Sequence, residues 1–408
     1  MRKEETMRFD LVFEGGGAKG MVFVGAYEEF VQRGHAVGRL LGTSAGAITA
    51  VLITAGYTPQ EMLSALNERE NGKPVFAGFM GDPAPFTDEE IHASAIRNFL
   101  RNVNLKFLPD FIENRMDDTI AEFIAENRSC RHLFAFVERG GWYAADRFVS
   151  WLKTKLDSGP WKGGKRKFST MTLGQFFAET HVHFSVVASD TTDGRLLVLN
   201  HLTSPDCPVV WAVRMSMSIP LLWNEVIWER SWGTCLGRDM TGHAIVDGGM
   251  LSNFPIELFI SDEPQVTRLM GPKGTNPVLG LLIDESLPVT ATRGEKGLLV
   301  DINVKPGELR TVQRLSCLAN TVTTAHDKMV IEEFEHLVVR LPAQGYGTTE
   351  FDMSDGRRTA LVQAGRNAMR NYFENPPAPA AGPRGLEDAE AARSRRIARR
   401  IASKLLGL

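Results

Sequence analysis

The opening of the chain alternates between two strand patterns and two helical patterns, and this order limits the fold more than any other feature of the sequence. The strand patterns, residues 9–13 and 37–41, are short, apolar and followed by glycine-containing turns. Helical patterns follow at residues 19–33 and 45–56. Consecutive strands joined through a helix are parallel, which predicts an α/β fold with its functional loops at the carboxyl ends of the strands.

Later patterns extend this sheet. Further strands are predicted at residues 183–188, 195–199, 244–246, 277–283 and 336–341, and further helices at residues 308–324 and 355–373. The sequence predicts one domain at residues 8–373, which contains a mostly helical insertion over one face at residues 67–169. The domain is followed by a Pro- and Ala-rich linker at 374–385 and by a basic amphipathic helical tail at 386–408.

Charge and cysteine content exclude several classes of protein. The formal net charge is -3 and the basic residues are spread along most of the chain, so no nucleic-acid partner is expected. The four cysteines form no C-x-x-C pair and no dense framework, which indicates reduced thiols in the cytoplasm. The N-terminus lacks the apolar region of a Sec signal peptide, and the longest apolar stretch, residues 45–57, is too short to span a membrane.

The turn Gly42-Thr-Ser-Ala-Gly46 matches G-x-S-x-G between a strand and a helix, the context in which this pattern has a mechanism. Gly42 and Gly46 remove side chains that would clash in so sharp a turn. Ser44 is left at the start of a helix, whose positive end faces incoming negative charge. The pattern therefore predicts that Ser44 is a nucleophile.

The loop Gly15-Gly-Gly-Ala-Lys-Gly20 joins the first strand to the first helix, so its backbone N–H groups can converge on an anion. It also satisfies the dinucleotide pattern G-x-G-x-x-G, but that function needs an acidic residue at the end of the second strand, where Gly42 stands. Lys19 is followed by Gly20 rather than Ser or Thr, which excludes a P-loop. If the bound anion is not phosphate, it can be the oxyanion of a tetrahedral acyl intermediate, for which the amides of Gly15, Gly16, Gly17 and Ala18 are the candidate donors.

A serine nucleophile needs a base, and Ile245-Val-Asp-Gly-Gly249 places Asp247 at the end of a short apolar strand. Gly248 and Gly249 let the chain turn away beneath the serine, and a partly desolvated Asp can act as the sole base. None of the nine histidines lies in a recognisable strand-end motif. Six are interpreted as surface or structural side chains: His35, His181, His183, His201, His243 and His326.

These three motifs, in this order, resemble those of the patatin-like phospholipases. The resemblance extends to the segments Trp211-Ala-Val-Arg-Met-Ser-Met-Ser-Ile-Pro220, Leu251-Ser-Asn-Phe-Pro255 and Phe351-Asp-Met-Ser354. It implies a patatin-like three-layer sandwich with a mostly parallel central sheet flanked by helices. It also implies a Ser44–Asp247 dyad that cleaves acyl esters of phospholipids, lysophospholipids or neutral lipids without histidine, metal or cofactor. Lys19 stands where the family has Lys or Arg, and we expect it to pair with a neighbouring carboxylate.

Several alternatives stay open at the level of sequence. A soluble-substrate esterase or thioesterase would use the same catalytic residues, and a patatin-fold binding protein without catalysis represents another class. The basic tail is suited either to peripheral contact with an anionic bilayer or to a solvated or oligomer-packing role. A homo-oligomer and an activating ligand are both compatible with the sequence. Four tryptophans line an acyl groove, touch a bilayer surface or form a core and rim cluster: Trp211, Trp223, Trp228 and Trp232.

Overall fold

The computed structural model describes residues 7–95, 128–289, 334–377 and 396–401. The strands in chain order are β1 (Arg8–Phe13), β2 (Ala36–Thr43), β3 (Arg69–Glu70), β4 (Lys73–Pro74), β5 (Gly141–Tyr143), β6 (Pro160–Trp161), β7 (Gly164–Lys165), β8 (Phe184–Asp190), β9 (Arg195–Leu199), β10 (Leu221–Trp223), β11 (Val226–Ile227), β12 (Thr234–Cys235), β13 (Arg238–Asp239), β14 (Ala244–Asp247), β15 (Val278–Pro288) and β16 (Val338–Gln344). The α-helices are α1 (Val22–Gln32), α2 (Ala45–Thr54), α3 (Pro59–Leu66), α4 (Asp88–Ala93), α5 (Arg128–Glu138), α6 (Asp146–Asp157), α7 (Leu173–Thr180), α8 (Val209–Ser216), α9 (Glu257–Ile260), α10 (Pro264–Met270) and α11 (Asp355–Glu374).

One eight-stranded sheet organises these elements, in the order β11-β14-β8-β2-β1-β15-β16, with β9 also paired to β8. The neighbours β8, β2, β1, β15 and β16 are parallel, which confirms the predicted α/β fold with a mostly parallel sheet. Strands β9 and β14 instead run antiparallel to β8. Strand β14 also pairs antiparallel with β11, and no α-helix lies between these two strands in the chain.

Alternate residues of the central strands point to opposite faces of the sheet, and both faces are covered. In β1, Leu11 and Phe13 belong to a large apolar cluster that includes α1, α2 and α11. Val12, between them, belongs to a smaller cluster that includes α9 and α10. Since successive side chains of a strand alternate between faces, the sheet is the middle of three layers, as the predicted sandwich requires.

The described parts of residues 67–169 contain α4, α5, α6 and the short strands β3 to β7. Phe79, Phe148 and Trp151 from this region are buried in the larger cluster. The ring centroid of Phe79 lies 5.3 Å from that of Phe148 and 5.3 Å from that of Trp151. These residues therefore extend the core on the face of the sheet that carries α1 and α2.

The described part of the C-terminal tail is the helical segment 396–401, which packs on the body of the protein. Ala398 and Ile401 are buried in the smaller cluster. Arg399 binds Asp262 at 3.0 Å and Glu263 at 2.7 Å. An apolar face that is already buried against protein is not free to enter a bilayer, so these residues favour packing over bilayer contact.

The predicted strands are all present, with ends that differ by at most a few residues. Helix α1 begins later than predicted because Gly17–Met21 forms a 3₁₀ turn, and α11 matches the helix predicted at residues 355–373. The helix predicted at residues 308–324 lies outside the described residues. Within the described ranges, no helix combines the length and apolar composition that crossing a membrane requires.

Candidate active site

Ser44 lies in the sharp turn between β2 and α2. Its backbone has φ of 52° and ψ of -119°, a strained conformation for a residue with a side chain. The flanking glycines leave no room for a Cβ: at Gly42 it would lie 2.4 Å from the Gly46 carbonyl, and at Gly46 it would lie 2.3 Å from the Phe13 oxygen. The two glycines therefore permit the close chain approach that this turn requires.

We expect Gly46→Ala to lower the free energy of unfolding by at least about 3 kcal/mol, because the new methyl group would overlap rigid backbone atoms. Urea denaturation measures this effect. The matched control is Gly164→Ala, where the nearest atom to an added Cβ is 3.7 Å away, and its stability should change by no more than about 0.5 kcal/mol. Equal stability of the two variants would contradict the account of the turn.

The glycine-rich loop after β1 lies beside Ser44. Phe13 at the end of β1 pairs with Gly42 at the end of β2. A Cβ on Gly15 would lie 3.1 Å from the Cβ of Ser44. Gly17 has a φ of +55°, and a Cβ there would lie 2.2 Å from a backbone oxygen. The loop thus approaches Ser44 closely, and it does so in a conformation that needs glycine.

Two of the four amides predicted to bind an oxyanion already have other partners. The Gly15 amide donates to the Asn253 carbonyl at 3.2 Å, and the Ala18 amide donates to the Thr348 carbonyl at 2.8 Å. These two N–H groups would have to leave a carbonyl partner to bind an oxyanion, so they are less suited to that role than amides without a partner. Within the described part of the chain, the amides of the loop without a partner are those of Gly16 and Gly17.

The last two residues of the loop motif have structural contacts. Lys19 is buried and its ammonium group binds the carboxylate of Glu285, which confirms the expected pairing. A Cβ on Gly20 would lie 2.5 Å from the Cβ of Ala45. Gly20 therefore lets the loop pack against the first residue of α2.

Strands β2 and β14 lie end to end along one edge of β8. Residues 186 and 187 of β8 pair with β2 on one edge and with β9 on the other. Residues 188–190 of β8 pair with β14 and, again, with β9. Strands β2 and β14 therefore share the edge of β8 that lies opposite β9. Strand β2 ends opposite Val187, and β14 arrives from the other direction and ends with Asp247 opposite Ala188. Successive residues of a strand are about 3.3 Å apart, so Asp247 ends β14 where Ser44 leaves the sheet.

The carboxyl group of Asp247 is buried, since the residue is only 4% exposed. Its Oδ1 accepts the Gly249 amide at 2.8 Å, whereas Oδ2 has no hydrogen-bond partner within the described residues. Burial raises the pKa of Asp247 from 3.8 to about 7, and the Ser44 hydroxyl and the Gly249 amide oppose part of this rise. A carboxyl group that exchanges its proton near neutral pH is suited to general base catalysis.

The two glycines after Asp247 also have defined places. A Cβ on Gly248 would lie 2.4 Å from the Val187 oxygen on β8, and a Cβ on Gly249 would lie 3.1 Å from Oδ1 of Asp247. The chain therefore passes directly over β8 and then turns back so that its amide reaches the carboxylate. Side chains at these positions would separate the aspartate from the strand that aligns it with Ser44.

The raised pKa of Asp247 predicts that Asp247→Asn stabilises the fold increasingly as pH rises. When a carboxyl group has a higher pKa in the folded chain than in the unfolded chain, its ionisation lowers the free energy of unfolding. For Asp247 this loss of stability begins at about pH 4 and is complete above about pH 7. The stability gained by the variant should increase by roughly 2 to 3 kcal/mol between pH 5 and pH 8. Urea denaturation at both pH values measures it, with the exposed Asp352→Asn as control. A gain that does not depend on pH would contradict the burial of an ionisable carboxyl group.

Asn253 joins the glycine-rich loop to the segment behind Asp247. Its Nδ2 donates to the Gly15 carbonyl at 3.0 Å and to Oε1 of Glu14 at 3.1 Å. Oε2 of Glu14 accepts the Ile283 amide of β15 at 2.5 Å. Sequence reasoning did not identify this role of Asn253, whose only signal is its place in the segment Leu251-Ser-Asn-Phe-Pro255.

Ser44 lines an apolar pocket of about 710 Å³, a volume that includes open solvent at its mouth. Its walls come from α1, α2, α3 and α6, from the turn Val75–Phe79, and from the residues around β10. Gly17 and Ala18 of the glycine-rich loop border it next to Ser44. Most of its lining is aliphatic or aromatic, including Ile48, Met62, Phe79, Trp151 and Phe351.

The four neighbouring tryptophans divide between the core and the wall of the pocket. Trp223 lines the pocket, and its indole N–H donates to the Phe79 carbonyl at 3.0 Å. Trp228 and Trp232 are buried, and Trp211 stacks on Trp232 with 5.3 Å between ring centroids. The cluster is therefore mainly core, with one member at the candidate site.

No histidine of the described residues lines the pocket. His35 packs among aromatic rings, including Phe373 at 4.7 Å between centroids. His201 stacks on Phe177 at 3.7 Å, and burial lowers the pKa of His201 to about 4. These positions confirm the structural interpretation of both residues, whereas His326 lies outside the described residues.

Within the described ranges, one cluster of side chains has the spacing of a metal site: Asp190, Asp193 and His243, whose possible ligand atoms all lie within 4.8 Å of one another. Nε of Arg195 lies 3.1 Å from Oδ2 of Asp190, and Arg238 binds Asp193. Guanidinium groups thus already neutralise both carboxylates. We assign this group to stabilising the ends of β8, β9 and β14 rather than to metal binding.

The fold and the site define a three-layer α/β protein in which a serine turn and a glycine-rich loop border one apolar pocket, and a buried carboxyl group lies where the serine leaves the sheet. The chain belongs to the patatin-like phospholipase family, whose sequence profile, described as Patatin, matches residues 11–260. This membership supports lipid hydrolase activity.

The chain is also similar to individual proteins and solved structures. The chain is 26% identical over 375 residues to the uncharacterized protein YqhO of Bacillus subtilis (strain 168), covering 90% of this chain and 99% of YqhO. It is 20% identical over 250 residues to the probable lipid hydrolase 463L of Invertebrate iridescent virus 6, covering 61% of this chain and 62% of that protein. Among solved structures, VipD from Legionella pneumophila matches with 15% identity and a TM-score of 0.43, covering 91% of this chain and 67% of VipD.

Proposed function

We propose that this protein hydrolyses fatty-acyl esters of lipids, as a phospholipase A or lysophospholipase does, with Ser44 as nucleophile and Asp247 as base. The observation that carries the proposal is the end-to-end meeting of β2 and β14 along β8. This arrangement brings together a buried carboxyl group with a raised pKa and a strained serine that lines an apolar pocket. No histidine is needed, because the carboxylate can accept the serine proton itself.

In the first half of the reaction, the Asp247 carboxylate takes the hydroxyl proton while Ser44 Oγ attacks the ester carbonyl carbon. The amides of Gly16 and Gly17 stabilise the oxyanion that forms, and one such donor contributes about 3 kcal/mol to lowering the barrier. The positive end of α2 adds to this stabilisation. The intermediate then collapses, the ester C–O bond breaks, and the leaving alcohol takes the proton from Asp247.

In the second half, Asp247 takes a proton from a water molecule, which attacks the acyl-enzyme carbonyl. The same two amides hold the new oxyanion. Collapse of this intermediate breaks the bond to Ser44 Oγ, which recovers its proton, and releases the fatty acid. One carboxyl group thus serves both halves, which requires that it gain and lose a proton easily near neutral pH.

The pocket is proposed to hold the acyl chain, because its walls are apolar and the proposed nucleophile lines it. The test is the rate of hydrolysis of esters of increasing acyl length by the wild-type protein. Longer chains gain about 0.8 kcal/mol for each buried methylene, so kcat/KM should rise from 4 to about 16 carbons. A fall with chain length would favour the soluble esterase or thioesterase, and no hydrolysis dependent on Ser44 would favour a binding protein.

Blocking the pocket should convert the protein into a short-chain esterase. Ala65 of α3 is 4% exposed and lines the pocket away from the loops around Ser44. We expect Ala65→Phe to exclude about three methylenes, which corresponds to a loss of about 50-fold in kcat/KM for a long-chain ester. Activity on a butyrate ester should change by less than about threefold.

The matched control is Ser64→Phe, which places the same ring on the neighbouring residue of α3, where the side chain is exposed. This variant should keep the wild-type preference for chain length. An equal loss on short and long esters in Ala65→Phe, with the fold intact, would contradict the assignment of the pocket to the acyl chain.

A further inference from the structure

Ser216 connects the turn that carries Ser44 to the strand along which the two dyad residues meet. It is the last residue of α8 and is 0% exposed. Its Oγ accepts a hydrogen bond from the Ser44 amide at 3.0 Å and donates one to the Val187 carbonyl of β8 at 2.6 Å. Both the acceptor and the donor capacity of this buried hydroxyl are therefore used on backbone groups next to the site.

The residues beside Ser216 hold the other member of the dyad. The carbonyl of Ser218 accepts the Asp247 amide at 2.9 Å. The buried guanidinium of Arg214 binds Ser218 Oγ and donates to the Asn224 carbonyl at 2.8 Å. One short turn, residues 216–218, thus contacts the main chain of Ser44 through a side chain and the main chain of Asp247 through a carbonyl.

The Ser216 hydroxyl also matters for the conformation of the nucleophile. Ser44 has a positive φ, which its side chain does not favour, so contacts around it must hold it in place. Without an acceptor at Ser216, the Ser44 amide would be a buried donor with no partner. Such a donor is unfavourable, and the turn would rotate toward another acceptor. A rotation of the backbone there changes the direction of Ser44 Oγ toward Asp247.

We propose that Ser216 is a positioning residue of this site, which orients Ser44 Oγ for attack by holding the Ser44 amide; the proposal rests on the proposed function. Ser216 does not contact the substrate or the reacting atoms. Loss of its hydroxyl should therefore lower kcat rather than change KM, because misplacing a reacting group by about 1 Å lowers the rate by up to about 100-fold.

The test compares Ser216→Ala and Ser216→Cys with the wild type on a long-chain p-nitrophenyl ester. The number of competent sites is counted by titration with a fluorophosphonate, which reacts with an activated serine. We expect kcat per titrated site to fall by about 10- to 100-fold while KM stays within about twofold. A thiol is a weak acceptor of nearly the same size, so Ser216→Cys should show the same loss with the packing retained.

The matched control is Ser189→Ala on the same strand β8. Ser189 is 3% exposed, and its hydroxyl has no hydrogen-bond partner within the described residues. Its kcat per site should stay within about twofold of the wild type. If Ser216 served only to stabilise the fold, its replacement would lower the number of titrated sites and the melting temperature but leave kcat per site unchanged. That result in both Ser216 variants would overturn the proposal. If the wild type itself shows no turnover that depends on Ser44, the proposed function fails and the positioning role fails with it.

Discussion

Replacing Ser44 by alanine is expected to lower kcat for ester hydrolysis by a factor of about 10⁴ or more, because no other group can form the acyl-enzyme. The substitution removes one oxygen atom in a turn whose shape depends on Gly42 and Gly46 rather than on the serine hydroxyl. The fold should therefore remain. Steady-state rates on a long-chain p-nitrophenyl ester measure the loss, and a fluorophosphonate should label the wild type but not the variant.

The control for this experiment is Ser64→Ala, which removes an exposed hydroxyl from α3. It should retain both activity and labelling. Activity of Ser44→Ala within about tenfold of the wild type would mean that another group attacks the ester, and the assignment of the nucleophile would then be wrong.

Replacing Asp247 by asparagine should lower kcat/KM by about 10² to 10⁴, the range that a positioned general base contributes. The pH profile carries more information than the loss itself. Only the ionised carboxylate accepts the serine proton, and burial raises the pKa of Asp247 to about 7. In the wild type, kcat/KM should therefore rise about tenfold per pH unit below pH 7 and become constant above it.

The asparagine variant should lack this rise, because an amide does not titrate in this range. Asp352→Asn, at an exposed position, should keep the wild-type profile. A profile that is flat from pH 5 to pH 9 in the wild type, or a rise that persists in Asp247→Asn, would show that a different group acts as the base.

The local parts of the fold and site could be predicted because turns that only glycine permits leave a short, recognisable spacing of glycines in the sequence. The glycines at positions 15–17, 42 and 46 occupy places where a Cβ would overlap neighbouring atoms. Their spacing is therefore visible in the sequence, together with the apolar runs that become β1 and β2. The approach of the loop to Ser44 followed from the parallel pairing of these two strands.

The direction of β14 could not be predicted, because it depends on pairing between distant parts of the chain. The sequence around Asp247 indicates a short strand, but a strand pattern carries no information about parallel or antiparallel pairing. Only the ladders of β8 show that β2 and β14 share one edge and meet end to end. This arrangement places the carboxyl group where Ser44 leaves the sheet.

The supporting contacts of the site were equally hidden from sequence reasoning. Ser216 and Asn253 lie in segments that the family resemblance includes, yet their hydrogen bonds join residues 172 and 238 positions apart in the chain. The commitment of two loop amides to distant carbonyls is of the same kind. Tertiary hydrogen bonds depend on how whole elements pack, and no local spacing encodes them.

The most direct test of the central claim is fatty-acid release from mixed phospholipid vesicles by the purified protein, beside Ser44→Ala and Asp247→Asn with their folding verified by circular dichroism. The account predicts release by the wild type and almost none by either variant. Comparable release by a variant would contradict the dyad. No release from vesicles, together with cleavage of a short-chain soluble ester that both substitutions abolish, would contradict a lipid substrate.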